Sequence, residues 1–66
     1  MKISLKAARV NAGFTQSDVA RHLKKNKQTI VNWETGKTPV DMGNFAALCS
    51  LYKISGDFIF LPKKLA

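Results

Sequence analysis

Very little in this chain can cross-link, ligate a metal or catalyse. It holds one cysteine, Cys49, so an internal disulfide is excluded and a reducing, cytoplasmic compartment is the expectation. Its one histidine, His22, together with Cys49 falls short of the three or four ligands a metal site requires. Acidic side chains are scarce, with 4 Asp and Glu against 11 Lys and Arg, for a formal charge of +7. Such a surplus draws polyanions, nucleic acid before a membrane surface. No apolar run reaches the roughly 18 residues of a membrane span, and the opening MKISLKAARV lacks the roughly 7 consecutive apolar residues of a signal peptide. A glycine-rich phosphate loop is missing, and no cofactor or small-molecule ligand is expected. Ser17, Asp18 and His22 have the residue types of a hydrolase triad but sit on one short helix and cannot converge on a substrate, so the chain reads as a non-enzyme. Asp18 and His22, four apart, are expected to pair on the surface. Cys49 lies on an apolar stripe, where it behaves as a small hydrophobe.

With 66 residues there is room for one domain, 1–66, near the lower limit of what folds without disulfides or metals. Ser4 caps a first helix running to about Ala12, with Leu5, Ala8, Arg9 and Ala12 on one face and Gly13 just past its end. Thr15 caps a second helix, Gln16 to Leu23, with Val19, Ala20 and Leu23 on one stripe. Lys24 and Lys25 turn the chain, and Asn26 caps a third helix, Lys27 to Glu34, that Gly36 ends. Asp41 caps a fourth helix carrying Phe45, Leu48, Cys49 and Tyr52 at helical spacing to about Lys53. Ser55 then caps a last short helix, and Pro62 bars its continuation. With no period-2 alternation anywhere, the expected fold is an all-α bundle of about five helices.

The segment TQSDVARHLKKNKQTIVNWETGK, Thr15 to Lys37, thus reads as two short helices joined by a tight turn, a helix-turn-helix over about residues 16–34. At about 100° per residue the third helix sorts its side chains. Lys27, Gln28, Val31, Asn32 and Thr35 fall on one side, and Thr29, Ile30 and Trp33 on the other. Gln and Asn suit adenine, Lys suits guanine or a phosphate, and Val suits a thymine methyl, so the outer face offers readers of several bases. Trp33 is beside a basic run and could stack on single-stranded bases, but its spacing from Ile30 puts it in the core.

These residues carry a resemblance. TQSDVARHL followed by QTIVNWETGKTP resembles the Cro/repressor-like helix-turn-helix family, the XRE-type regulators of phages and prophages, from about Leu5 to Phe60. The resemblance implies a lambda-repressor-like domain that binds double-stranded DNA. By match, Lys27, Gln28, Val31 and Asn32 contact bases, and Gln16 meets the backbone and braces the reading helix. Thr35, Lys37 and Thr38 hold phosphates, with the turn residues Lys24, Lys25 and Asn26 beside them. The family often pairs an arginine of the first helix with the glutamate ending the third, here Arg9 and Glu34, and a charge on each otherwise apolar face does need a partner. Three lysines depart from the pattern: Lys24 and Lys53 stand where the family usually has glycine, and Lys25 where it usually has an apolar residue. A left-handed lysine costs on the order of 1 kcal/mol, so at Lys24 either the turn differs or the charge near phosphate compensates.

Phe58, Ile59, Phe60 and Leu61 give more apolar surface than so small a domain easily buries, which points to a two-fold homodimer through Phe58, Phe60 and Leu61, at the weakest one that forms on DNA. The expected function is that of a Cro-like repressor on a pseudo-palindromic operator. The alternative is an antitoxin or protein-interaction module gripping a protein with its basic or C-terminal apolar surface.

Overall fold

A computed structural model describes residues 1–63 of the protein. The chain runs β1 (Ile3–Ser4), α1 (Leu5–Asn11), α2 (Gln16–Leu23), α3 (Lys27–Thr35), α4 (Met42–Tyr52), a single 3-10 turn (Gly56–Phe58) and β2 (Ile59–Phe60).

Every helix starts where a short polar side chain can take up an orphan backbone N–H. Ser4 Oγ accepts from the Ala7 amide at 3.0 Å, Asn26 Oδ1 from the Thr29 amide at 2.9 Å, and Asp41 Oδ1 from the Asn44 amide at 2.7 Å. At α2 the bonds are reciprocal. Thr15 Oγ1 accepts from the Asp18 amide at 3.0 Å while Asp18 Oδ2 accepts from the Thr15 amide at 2.9 Å, a capping box. That pair of bonds, led by the Thr15 backbone, holds the Asp18 carboxyl below its ordinary pKa. The helices stop at left-handed residues: Lys24 at φ 57°, Gly36 at φ 80° and Lys53 at φ 55°, with Gly13 at φ 84° just beyond α1.

The apolar stripes meet in one core of Leu5, Ala8, Val19, Ala20, Ile30, Trp33, Val40, Leu48, Tyr52 and Ile59. Burying a Val, Leu or Ile side chain is worth about 1.5–3 kcal/mol, so this cluster is what opposes the chain entropy of a small domain. Phe45, Cys49 and Leu61 pack half-buried against it, and burial pushes the Cys49 thiol up. Tyr52 is buried beside Glu34, and its phenol is pushed up to about 12, desolvation being the main cause.

The architecture differs from a five-helix all-α bundle in two respects. Beyond Ser55 the chain makes one 3-10 turn only, after which Ile59 and Phe60 extend. They pair in parallel with Ile3 and Ser4, Ile3 facing Ile59, so the two ends of the domain are joined by a two-stranded ribbon. Strands of two residues are too short to alternate, and their pairing is a non-local contact that no local period announces. Smaller shifts occur at helix ends: α1 stops at Asn11 and α3 runs on to Thr35.

Candidate nucleic-acid interface

The outer face of α3 is held in place from behind. Ile30 and Trp33 are buried against the rest of the core, which leaves Lys27 and Gln28 exposed and Val31 and Asn32 half-buried on the opposite side. Thr35 is exposed and turns its hydroxyl back onto the helix, Oγ1 donating to the Val31 carbonyl at 2.9 Å. Gln28 Nε2 donates to Asn32 Oδ1 at 2.9 Å, tying two of the polar side chains of this face together.

Behind the helix-turn-helix lies a polar junction. Arg9 is buried, and its Nε donates to Glu34 Oε2 at 2.7 Å while Nη1 donates to the Phe14 carbonyl at 2.9 Å. Gln16 Nε2 reaches the other oxygen of the same carboxylate, Glu34 Oε1, at 3.0 Å. The first residue of α2 is thereby locked to the end of α3 through Glu34, which fixes the relation of the two helices. A buried pair like this adds little net stability, but losing either partner leaves an uncompensated charge that costs about 3–5 kcal/mol.

The turn between the helices contains Lys24 in the left-handed region, at φ 57° and ψ 43°, the conformation that a glycine would take there. Lys24 and Lys25 are exposed. Asn26 commits its Oδ1 to the α3 cap, accepting from the Thr29 amide and hydroxyl, each at 2.9 Å, so Nδ2 is the group it can turn to an anion. Past α3, the Lys37 and Thr38 amides both donate to the Asn32 carbonyl, at 2.9 and 3.3 Å, which ties this exposed loop to α3.

Two residues that sequence reasoning does not place at the site, Pro62 and Lys63, join this edge. Pro62 packs on Gly36, where an added Cβ would lie 3.0 Å from Pro62 Cβ, and Lys63 Nζ donates to the Lys37 carbonyl at 3.4 Å. The chain end thus brings a second ammonium to the loop after α3. Its sequence signal is charge alone, which does not say where the residue folds back.

Among the described residues the ion pairs are Arg9 with Glu34 and Arg21 with Asp18, and no lysine takes part in either. The lysines around α3 therefore present net positive potential to solvent. The expected pairing of Asp18 with His22 is not formed. Asp18 Oδ1 accepts from Arg21 at 2.7 Å instead, and the His22 ring stands edge-on to Phe14 with centroids 5.4 Å apart. Arg21 reaches Asp18 from three residues on, and the imidazole packs against the Phe14 ring instead. No group of three or more His, Cys, Asp or Glu side chains able to hold a metal is found among the described residues. Among the described residues no helix is long and apolar enough to cross a membrane. At the far end, Phe58 and Phe60 are exposed, Ile59 is buried and Leu61 is half-buried against the core.

A rigid pair of short helices, with a polar and cationic face on the second and exposed lysines at both of its ends, defines a helix-turn-helix DNA-binding module. The family model described as Helix-turn-helix matches residues 5–59, nearly all of the domain, and the chain belongs to this Cro/repressor-like helix-turn-helix family. It is a DNA-binding transcriptional regulator that binds double-stranded DNA. No curated protein and no solved structure matches the chain significantly.

Proposed function

We propose that the protein is a Cro-like repressor that occupies a pseudo-palindromic operator as a homodimer, with α3 of each copy in the major groove. The observation that carries this reading is the sorted face of α3: Lys27, Gln28, Val31 and Asn32 look outward while Ile30 and Trp33 anchor the helix from within. In this reading those four side chains meet base edges. Lys24, Lys25, Asn26, Thr35, Lys37 and Thr38, all exposed, meet phosphates on either side. Gln16 keeps its bond to Glu34 and offers its remaining amide hydrogen to the backbone. Repression is then a matter of occupancy, since a bound dimer excludes polymerase from the same stretch of duplex.

The alternative, an antitoxin or interaction module, draws on the exposed Phe58 and Phe60. Selection of bound duplexes from a random library separates the two. A two-fold motif is expected from the regulator, and no enriched sequence from a pure protein-binding module. In the same assay Gln28→Ala should cost about 1–3 kcal/mol on the selected site and relax one position. Lys37→Ala should leave the motif intact and reduce the log-log salt slope by about 0.9. An unchanged motif for Gln28→Ala removes that residue from base reading.

A further inference from the structure

The bond between Gln28 and Asn32 divides their hydrogen-bonding capacity unequally. Gln28 Nε2 donates to Asn32 Oδ1 at 2.9 Å. An amide side chain has two N–H donors and one carbonyl acceptor. Gln28 therefore keeps Oε1 and one N–H, an acceptor and a donor side by side. Asn32 has one lone pair of its acceptor oxygen engaged and keeps both donors.

The two residues also differ in anchorage. Gln28 is exposed at the first turn of α3, whereas Asn32 is half-buried a turn later. Asn32 is further fixed at its backbone, where its carbonyl accepts from the Lys37 and Thr38 amides at 2.9 and 3.3 Å. Of the pair, Asn32 is the fixed member and Gln28 the one being steered.

We propose that Gln28 and Asn32 act as one reading unit, in which Asn32 orients the Gln28 amide onto adenine and itself rejects cytosine at the neighbouring position. This rests on the reading of α3 as the base-contacting helix. The remaining acceptor and donor of Gln28 match the N6 amino group and N7 of adenine in the major groove. The remaining donors of Asn32 match O6 and N7 of guanine, O4 of thymine or N7 of adenine, and find no acceptor on cytosine, whose groove edge offers only the N4 donor. Asn32 is thus a positioning residue for one base and a specificity residue for the next. An i,i+4 amide pair that only supports the helix has no bearing on sequence.

Selection of duplexes from a random library at low salt, with the full chain and the variants Asn32→Ala and Asn32→Asp, tests the proposal. The parent motif should contain adenine beside a base other than cytosine. Asn32→Ala should weaken the preference for adenine on the order of tenfold although Gln28 is intact. Asn32→Asp retains an oxygen acceptor for Gln28 Nε2, so adenine should persist while the neighbour shifts toward cytosine, whose N4 group donates. Adenine preference unaltered in Asn32→Ala, with only the melting temperature lowered, would mean a helix-supporting pair and overturn the proposal. So would loss of adenine in Asn32→Asp, because the bond would then run from Asn32 to Gln28. A parent protein that enriches no duplex overturns the base-reading role of α3 itself, an outcome distinct from the other two.

Discussion

Lys24 shows how a single residue can break a family's local rule without breaking its fold. Its backbone lies at φ 57° and ψ 43°, so the turn adopts the left-handed geometry with a side chain in place of the usual glycine. The strain, on the order of 1 kcal/mol, is tolerated where an extra ammonium sits beside the reading helix. Lys24→Gly should leave stability unchanged or raise it by up to about 1 kcal/mol, relief of strain outweighing the added entropy of the unfolded chain. DNA binding should meanwhile weaken modestly, and mainly at low salt. Denaturation and binding isotherms at two salt concentrations check the opposite signs. A variant that melts clearly below the parent would show that Lys24 contributes more through its side chain than its backbone costs. Lys53, at φ 55°, is the same departure repeated after α4.

At the scale of the element, α2 is held at its N-terminus by a box that depends on one ionised carboxylate. Thr15 and Asp18 exchange bonds of 3.0 and 2.9 Å, and these bonds lower the Asp18 pKa. A carboxyl whose folded pKa lies below its unfolded value contributes stability above the unfolded value and loses it as pH falls through the folded one. Thermal unfolding followed between pH 6 and pH 2 should therefore show a loss below about pH 4 that Asp18→Asn diminishes. Retention of the full acid dependence in that variant would assign it to the other carboxyls. The helix starts were legible because each N-cap, Ser4, Thr15, Asn26 and Asp41, is a residue whose short side chain reaches its own helix. The sorting of α3 was legible for the same kind of reason, since a rotation of about 100° per residue needs nothing outside the helix. The fifth helix was not, because a serine cap signals a start and says nothing of length. Gly56, Asp57 and Phe58 make one turn, and β-ribbon pairing then claims Ile59 and Phe60.

At the scale of the whole molecule, the proposed palindromic operator would call for two copies. The described residues span 28 × 24 × 19 Å, less than the roughly 34 Å between half-sites one helical turn apart, so one copy cannot engage both halves of a palindrome. Phe58 and Phe60 remain more than half exposed, at 54% and 57%, while Leu61 is tucked half-buried against the core, so an isologous contact would rest first on the two phenylalanines. Sedimentation on a full-length operator duplex should give two copies per duplex bound cooperatively, and replacing Phe58 and Phe60 with serine should abolish the cooperativity while leaving half-site binding intact. A single copy bound to the intact operator by the parent protein would remove the dimer.

Local chemistry written in the residues decided where the four helices begin, which face of α3 turns inward, and that a buried arginine would need an acid. Those features depend on neighbours within a turn or on one charge demanding another. The tertiary structure alone decided that Ile3 pairs with Ile59, that Gln16 shares the Glu34 carboxylate with Arg9, that His22 meets Phe14 in place of Asp18, and that Lys63 returns to Lys37. The reason is physical: most of these contacts join residues far apart in the chain, and even the short-range choice at His22 is a competition among partners. Which one wins depends on the shape of the packed core and leaves no period in the sequence.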